Sequence, residues 1–172
     1  MPDSPEKRYW DSSVFLALIK NESGRADICE PIVNDAKAGR CQIYTSTITL
    51  TEVVKRRKGP VENDRHTEET LTAFFKNRFI VPVPVDISVA TRARRLIWDF
   101  SWLTARDAIH IATAMQLKID VFEHYDDDDM GRVAERIAKD GLPGFPEIRH
   151  PKWVGQMPLL GEEGLGDDTT TS

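Results

Sequence analysis

Acidic residues recur where the chain turns out of an extended run. Asp11 closes the run Lys7 to Trp10, and Glu52 lies in the helical stretch after a second run, Cys41 to Thr45. Asp107 opens a helix rich in small apolar residues. Asp126 to Asp129 are four consecutive aspartates just past a third run, Ile119 to Phe122. Right-handed crossovers put the ends of successive parallel strands on one edge of a sheet, and ligands of open α/β sheets gather beyond that edge. Acids far apart in sequence would then converge in one cleft. Carboxylates without evident basic partners suit a hard divalent cation. Such a cation relieves charge on a phosphodiester and acidifies a bound water, so the chemistry requires no histidine base.

Each acid has a plainer role open to it. Asp11 can cap the helix that follows it, and Glu52 can pair with Arg56 one helical turn on. Asp107 stands three residues after Thr104, the spacing of a capping box. An aspartate run is commonly a solvated loop, and this one lacks the alternation and the glycine of a calcium-binding helix–loop–helix. His110, on an apolar helix, reads as a satisfied interior histidine. The chain has no P-loop, glycine-rich dinucleotide turn or nucleophile elbow. A phosphate-processing enzyme with Asp11 as nucleophile would want an acid two residues on, where Ser13 stands.

The elements that would position these residues alternate between strand and helix, which indicates an α/β fold with a largely parallel sheet. Ser12 and Ser13 can cap a helix through Ile19, and a second runs from Arg25 to Ala38 with a break at Pro31. Thr47 to Val54 reads as helical, closed by Lys55 to Lys58 and Gly59–Pro60. Those basic residues complement a helix dipole, or they meet phosphates if they flank the cleft. Glu62 to Asn77 is helical. Phe79 to Val85 is extended, and Pro82 and Pro84 make it an edge strand or the end of one. Helices follow from Asp86 or Ser88 to about Phe100, from Thr104 through Leu117, and from Gly131 to Lys139. Ile148 to Met157 adds a last strand or docks Trp153.

The 172 residues are 40% hydrophobic, enough for one domain with a sizeable core. No apolar run is long enough to cross a membrane. The start, MPDSPEKRYWDSS, lacks the basic opening and apolar stretch of a signal peptide, so the cytoplasm and reduced thiols at Cys29 and Cys41 are expected. The net charge is −5, but Glu162, Glu163, Asp167 and Asp168 lie in a tail without Lys or Arg, so nucleic acid is not excluded as a partner. Three regions are expected: a nuclease-like domain over 1–140, a Pro/Gly-rich extension over 141–160, and a disordered acidic tail over 161–172.

Four segments together resemble the PIN-domain nucleases, nearest to the ribonuclease toxins of VapC-type toxin–antitoxin pairs. YWDSSVFLALI resembles the opening motif, with Asp11 as first acid and Ser13 as its hydroxyl companion. TSTITLTEVV resembles the second, with Ser46 and Thr49 leading to Glu52. ARDAIHIATAMQL resembles the third, with Asp107. FEHYDDDDM resembles the closing motif, with Asp126 as its first acid, Asp128 or Asp129 as its last, His124 in place of Thr or Ser, and Met130 near the place of an aromatic. The resemblance implies a three-layer α/β/α sandwich on a twisted, mainly parallel sheet of four or five strands. It implies Mg²⁺- or Mn²⁺-dependent cleavage of RNA, with Asp11, Asp107, Asp126 and Asp128 as metal ligands and Glu52 ligating or orienting a metal-bound water. Ser13 would hold Asp11 or a phosphate, and Arg56 and Arg57 would touch RNA. It further implies a cognate antitoxin and a homodimer. A PIN-fold protein that binds RNA or a partner without cutting is the alternative.

Overall fold

The computed structural model describes residues 5–54 and 62–155, with the backbone alone for 62–67. β1 (Glu6–Trp10) leads into α1 (Ser12–Ile19) and α2 (Ala26–Lys37), then β2 (Cys41–Ser46), α3 (Thr49–Glu52) and α4 (Glu62–Phe75). β3 (Ile80–Val83) is followed by α5 (Ile87–Asp99) and α6 (Ala105–Gln116), then β4 (Val121–Glu123), α7 (Asp129–Asp140) and β5 (Glu147–Arg149). The strands form one sheet in the order β3-β2-β1-β4-β5, with every neighbouring pair parallel. β3, with Pro82 inside it, lies at an edge, where a missing ladder donor is tolerated.

Side chains alternate across the sheet, and adjacent residues of β1 open two separate cores. Tyr9 packs with Phe122 and Ile148 against α5, α6 and α7. Trp10 packs with Ile43 and Ile80 against α1, α2 and Phe75 of α4. The result is a three-layer α/β/α sandwich. Both cysteines are free and buried in the second core.

Helix starts follow the side-chain chemistry. Asp86 caps α5 by accepting from the Val89 amide at 2.8 Å, and the Thr104 hydroxyl caps α6 by accepting from the Asp107 amide at 3.3 Å. Of the caps expected for α1, Asp11 serves and Ser12 and Ser13 do not. Two local expectations change. Pro31 does not break α2, because burial of Cys29, Ile32, Val33 and Ala36 holds the helix across the one missing amide. The helix expected from Thr47 shrinks to the single turn of α3. β2 runs on to Ser46, and the Thr47 amide donates to the Val83 carbonyl at 2.9 Å, so helical bonding starts only afterwards. Residues 55–61, with Lys55 to Lys58, fall outside the described residues. Of the expected extension, Glu147–Arg149 is a strand of the main sheet, and Trp153 Nε1 donates to Asp35 Oδ2 at 3.0 Å.

The sheet also encloses an ion pair. In the β1–β4 register Trp10 stands opposite Glu123, with Arg8 two residues back on the same face. Glu123 is fully buried and accepts from Arg8 Nη2 at 2.6 Å, Trp10 Nε1 at 2.7 Å and the Lys152 amide at 3.4 Å. Burial pushes its pKa up, and Arg8 pulls it down. All three partners are donors, so the ionised carboxylate is the hydrogen-bonded form. Removing one member of a buried pair strands the other. Glu123→Ala is therefore expected to lower the unfolding free energy by about 3–5 kcal/mol in urea titrations. A loss under about 1 kcal/mol would mean that the pair behaves like a surface one.

Candidate metal centre

Asp11 stands where central strand β1 hands over to α1, and its amide donates to the Glu123 carbonyl at 3.2 Å. The residue is 6% exposed. Three donors converge on Oδ1: the Ser13 amide at 2.9 Å, the Ser13 hydroxyl at 2.5 Å and the Val14 amide at 3.2 Å. Oδ2 receives no hydrogen bond from the described residues. The Ser13 oxygen in turn accepts from the Tyr125 amide at 2.8 Å, which ties the exit of β4 to the start of α1. Of the two expectations for Ser13, the geometry shows it holding Asp11. Burial raises the Asp11 pKa to about 6, against the opposing pull of His110 and the Ser13 and Val14 donors.

His110, on α6, joins the acids. It is 2% exposed, and both ring nitrogens are bonded, as the reading of a satisfied interior histidine anticipated. Nε2 meets Glu52 Oε2 at 2.8 Å, and Nδ1 meets the Tyr9 hydroxyl at 2.9 Å. A carboxylate only accepts, so in the neutral ring Nε2 carries the proton and Nδ1 accepts from Tyr9. The Ser12 hydroxyl also donates to Glu52, and Arg106 Nε lies 3.6 Å from its other oxygen. Burial opposes ionisation of Glu52, but these partners outweigh it and hold the pKa below the usual carboxylate value. Glu52 is thus paired with His110 and Arg106; the expected partner Arg56 falls outside the described residues, as does Arg57.

Asp107 lies one helical turn before His110. Its Oδ2 accepts from the Thr104 hydroxyl, so it does serve in the cap. It is also acidic company for the aspartate turn. Burial raises its pKa, Thr104 and His110 oppose that, and the charges of Asp126 and Asp129 push it further up. The aspartate run divides its work. Asp126 and Asp129 act on Asp107, whereas Asp127 turns away to His150 Nε2 at 2.5 Å. Asp128 is exposed at the N-cap of α7, and its amide donates to Asp126 Oδ1 at 3.1 Å. Of the two candidates for the last acid, Asp129 is the one whose charge is among the influences on Asp107.

Glu52 thus bonds His110, the charge of His110 acts on both Asp11 and Asp107, and the charges of Asp126 and Asp129 act on Asp107. Among the described residues no Lys or Arg pairs with Asp11, Asp107, Asp126 or Asp129. Burial raises the pKa of both Asp11 and Asp107, and a cation beside either carboxyl would relieve that. The hub role of His110 was legible only in its three-residue spacing from Asp107.

Residues 8–136 match the family model described as PIN domain. The chain belongs to the PIN domain family. No curated protein sequence matches it significantly. Among solved structures, a chain of a toxin–antitoxin complex from Klebsiella pneumoniae has a TM-score of 0.54 at 18% identity, covering 86% of this chain and 99% of that one. At that identity the likeness is one of fold. Among the described residues of this PIN domain no helix is long and apolar enough to cross a membrane.

The Asp11 pKa fixes a sign. Its folded value, about 6, lies above the unfolded 3.8, so its stabilising contribution is complete below the unfolded value and is lost as pH rises through the folded one. A shift of this size corresponds to roughly 3 kcal/mol. In chelator, the stability of the wild type relative to Asp11→Asn is expected to fall by that order between pH ~4 and ~6 and then level off. Urea midpoints across that range check it. A flat difference would mean that Asp11 is solvated and unstrained.

Proposed function

We propose that this PIN domain is a metal-dependent endoribonuclease and the toxin of a type II toxin–antitoxin pair, acting in the cytoplasm. The observation that carries the reading is that Asp11 and Asp107 both lie within the field of His110, that Asp126 and Asp129 act on Asp107, and that among the described residues no Lys or Arg pairs with any of the four. Two of those carboxyls already resist ionisation, and a Mg²⁺ or Mn²⁺ ion would relieve that. When bound, the ion supplies charge neutralisation at the phosphodiester and acidifies a water.

The protein's own part is to hold and orient. Asp11 is fixed by Ser13 and the start of α1, and Asp107 by Thr104 at the start of α6. Glu52 remains an anion at neutral pH, aimed by Ser12, His110 and Arg106, with Tyr9 fixing the imidazole. That anchored anion supports a role for Glu52 in orienting the attacking water. RNA as the substrate, an antitoxin as the partner and a second copy of the chain follow from the family reading. The toxin–antitoxin complex among the structural neighbours supports the second of these.

Asp107→Asn separates cap from catalyst. Asparagine retains an acceptor oxygen but loses the charge. The metal-free fold should change by no more than about 0.5–1 kcal/mol, the worth of a cap, offset by relief of repulsion from Asp126 and Asp129. Loss of an outer partner of a metal already costs about 10–100-fold, and loss of a ligand should exceed that, so cleavage of structured RNA should fall by more than about 100-fold. A variant that is destabilised yet cleaves at the wild-type rate would make Asp107 a cap alone. Metal binding without cleavage in the wild type would favour the binding-only reading.

A further inference from the structure

Beyond the acid cluster, a second set of metal-ligating side chains comes together at the end of β4. The parallel register pairs Glu123 with Arg149, and the His124 amide extends it by donating to the Arg149 carbonyl at 3.1 Å. The next step along both chains sets His124 beside His150, their rings edge to face at 5.4 Å. Asp127, in the aspartate turn, reaches the same place. One ligand atom from each of His124, Asp127 and His150 lies within 4.8 Å of the other two.

His124 is the telling member. It is 2% exposed, and its Nδ1 is buried without a hydrogen-bond partner among the described residues. A buried polar atom left unpaired is costly, and metal coordination is one way to satisfy it. Tyr125 packs its ring against His150 at 5.5 Å and restricts the imidazole further. His150 and Asp127 are open to solvent on their other sides, 51% and 69% exposed, which leaves room for small adjustments. Their present contact of 2.5 Å would open, and His124 would close in, to the roughly 3.3 Å between ligand atoms around a tetrahedral ion.

We infer that His124, Asp127 and His150 form a binding site for a borderline divalent transition ion of the zinc class, distinct from the carboxylate cluster. Two imidazoles and one carboxylate select such an ion over Mg²⁺, which prefers oxygen and keeps its waters. Three protein ligands leave one position for water. The ion joins the end of β4, the aspartate turn and the end of β5. It thereby steadies the turn that carries Asp126 and Asp129. The inference does not depend on RNA cleavage.

The test is calorimetric titration of the untagged full-length protein with zinc chloride, in excess Mg²⁺ to occupy the oxygen site. A single zinc per chain is expected, and Co²⁺ in its place should give the visible bands of a four-coordinate ion. His150→Ala, at an exposed side chain, should weaken zinc binding at least about tenfold and remove those bands, whereas Asp107→Asn should bind zinc as the wild type does. No zinc bound by the wild type, undiminished binding by His150→Ala, or loss of binding in Asp107→Asn would each overturn the site.

Discussion

The burial of one carboxylate at the end of the central strand governs this structure. Asp11 must leave water where β1 meets α1, and everything near it is arranged around that cost. Its Oδ1 starts α1 by taking the Ser13 and Val14 amides, so the charge that opposes burial also aligns the helix. The Ser13 hydroxyl carries the effect on to Tyr125 and so to the turn holding the other acids. His110 faces the cluster from α6, bonded to Tyr9 behind it and Glu52 beside it. The structural roles of Asp11 and Asp107 as caps and their proposed chemical roles are not alternatives. A cap fixes one oxygen of a carboxylate and can leave the other for a ligand.

Much of the framework could be read from local chemistry. Asp86 and Thr104 are strong caps before periodic apolar residues, so α5 and α6 begin as expected. Pro82 and Pro84 placed β3 at an edge because a missing amide donor has one meaning wherever it occurs. Pro31 misled because a helix propensity is weak against a buried face. Glu123 could not be foreseen as buried. A glutamate in a three-residue strand reads as solvent-facing, and only the register with β1 reveals that Arg8 and Trp10 meet it there.

The acids were read as a set because strand ends share an edge, whereas their separate hydrogen-bond partners could not be read in advance. Four adjacent aspartates are equivalent in sequence. The turn into α7 makes them unequal, sending Asp126 and Asp129 toward Asp107 and Asp127 toward His150. His124 was legible only as a departure from the family's closing motif. Its meaning lies in the β4–β5 pairing, set by a return of the chain through residues 141–149.

The central claim, that a strained acid cluster is made to hold a divalent cation, is tested most directly by calorimetric binding of Mn²⁺ at pH 6 and pH 8. Measurement in buffers of different ionisation enthalpy counts the protons released. With Asp11 titrating near pH 6 in the metal-free protein, binding at pH 6 should displace a fraction of a proton that is already gone at pH 8, and Asp11→Asn should lose both the binding and the release. Absence of binding at millimolar Mn²⁺, or binding that Asp11→Asn leaves intact, would contradict the account.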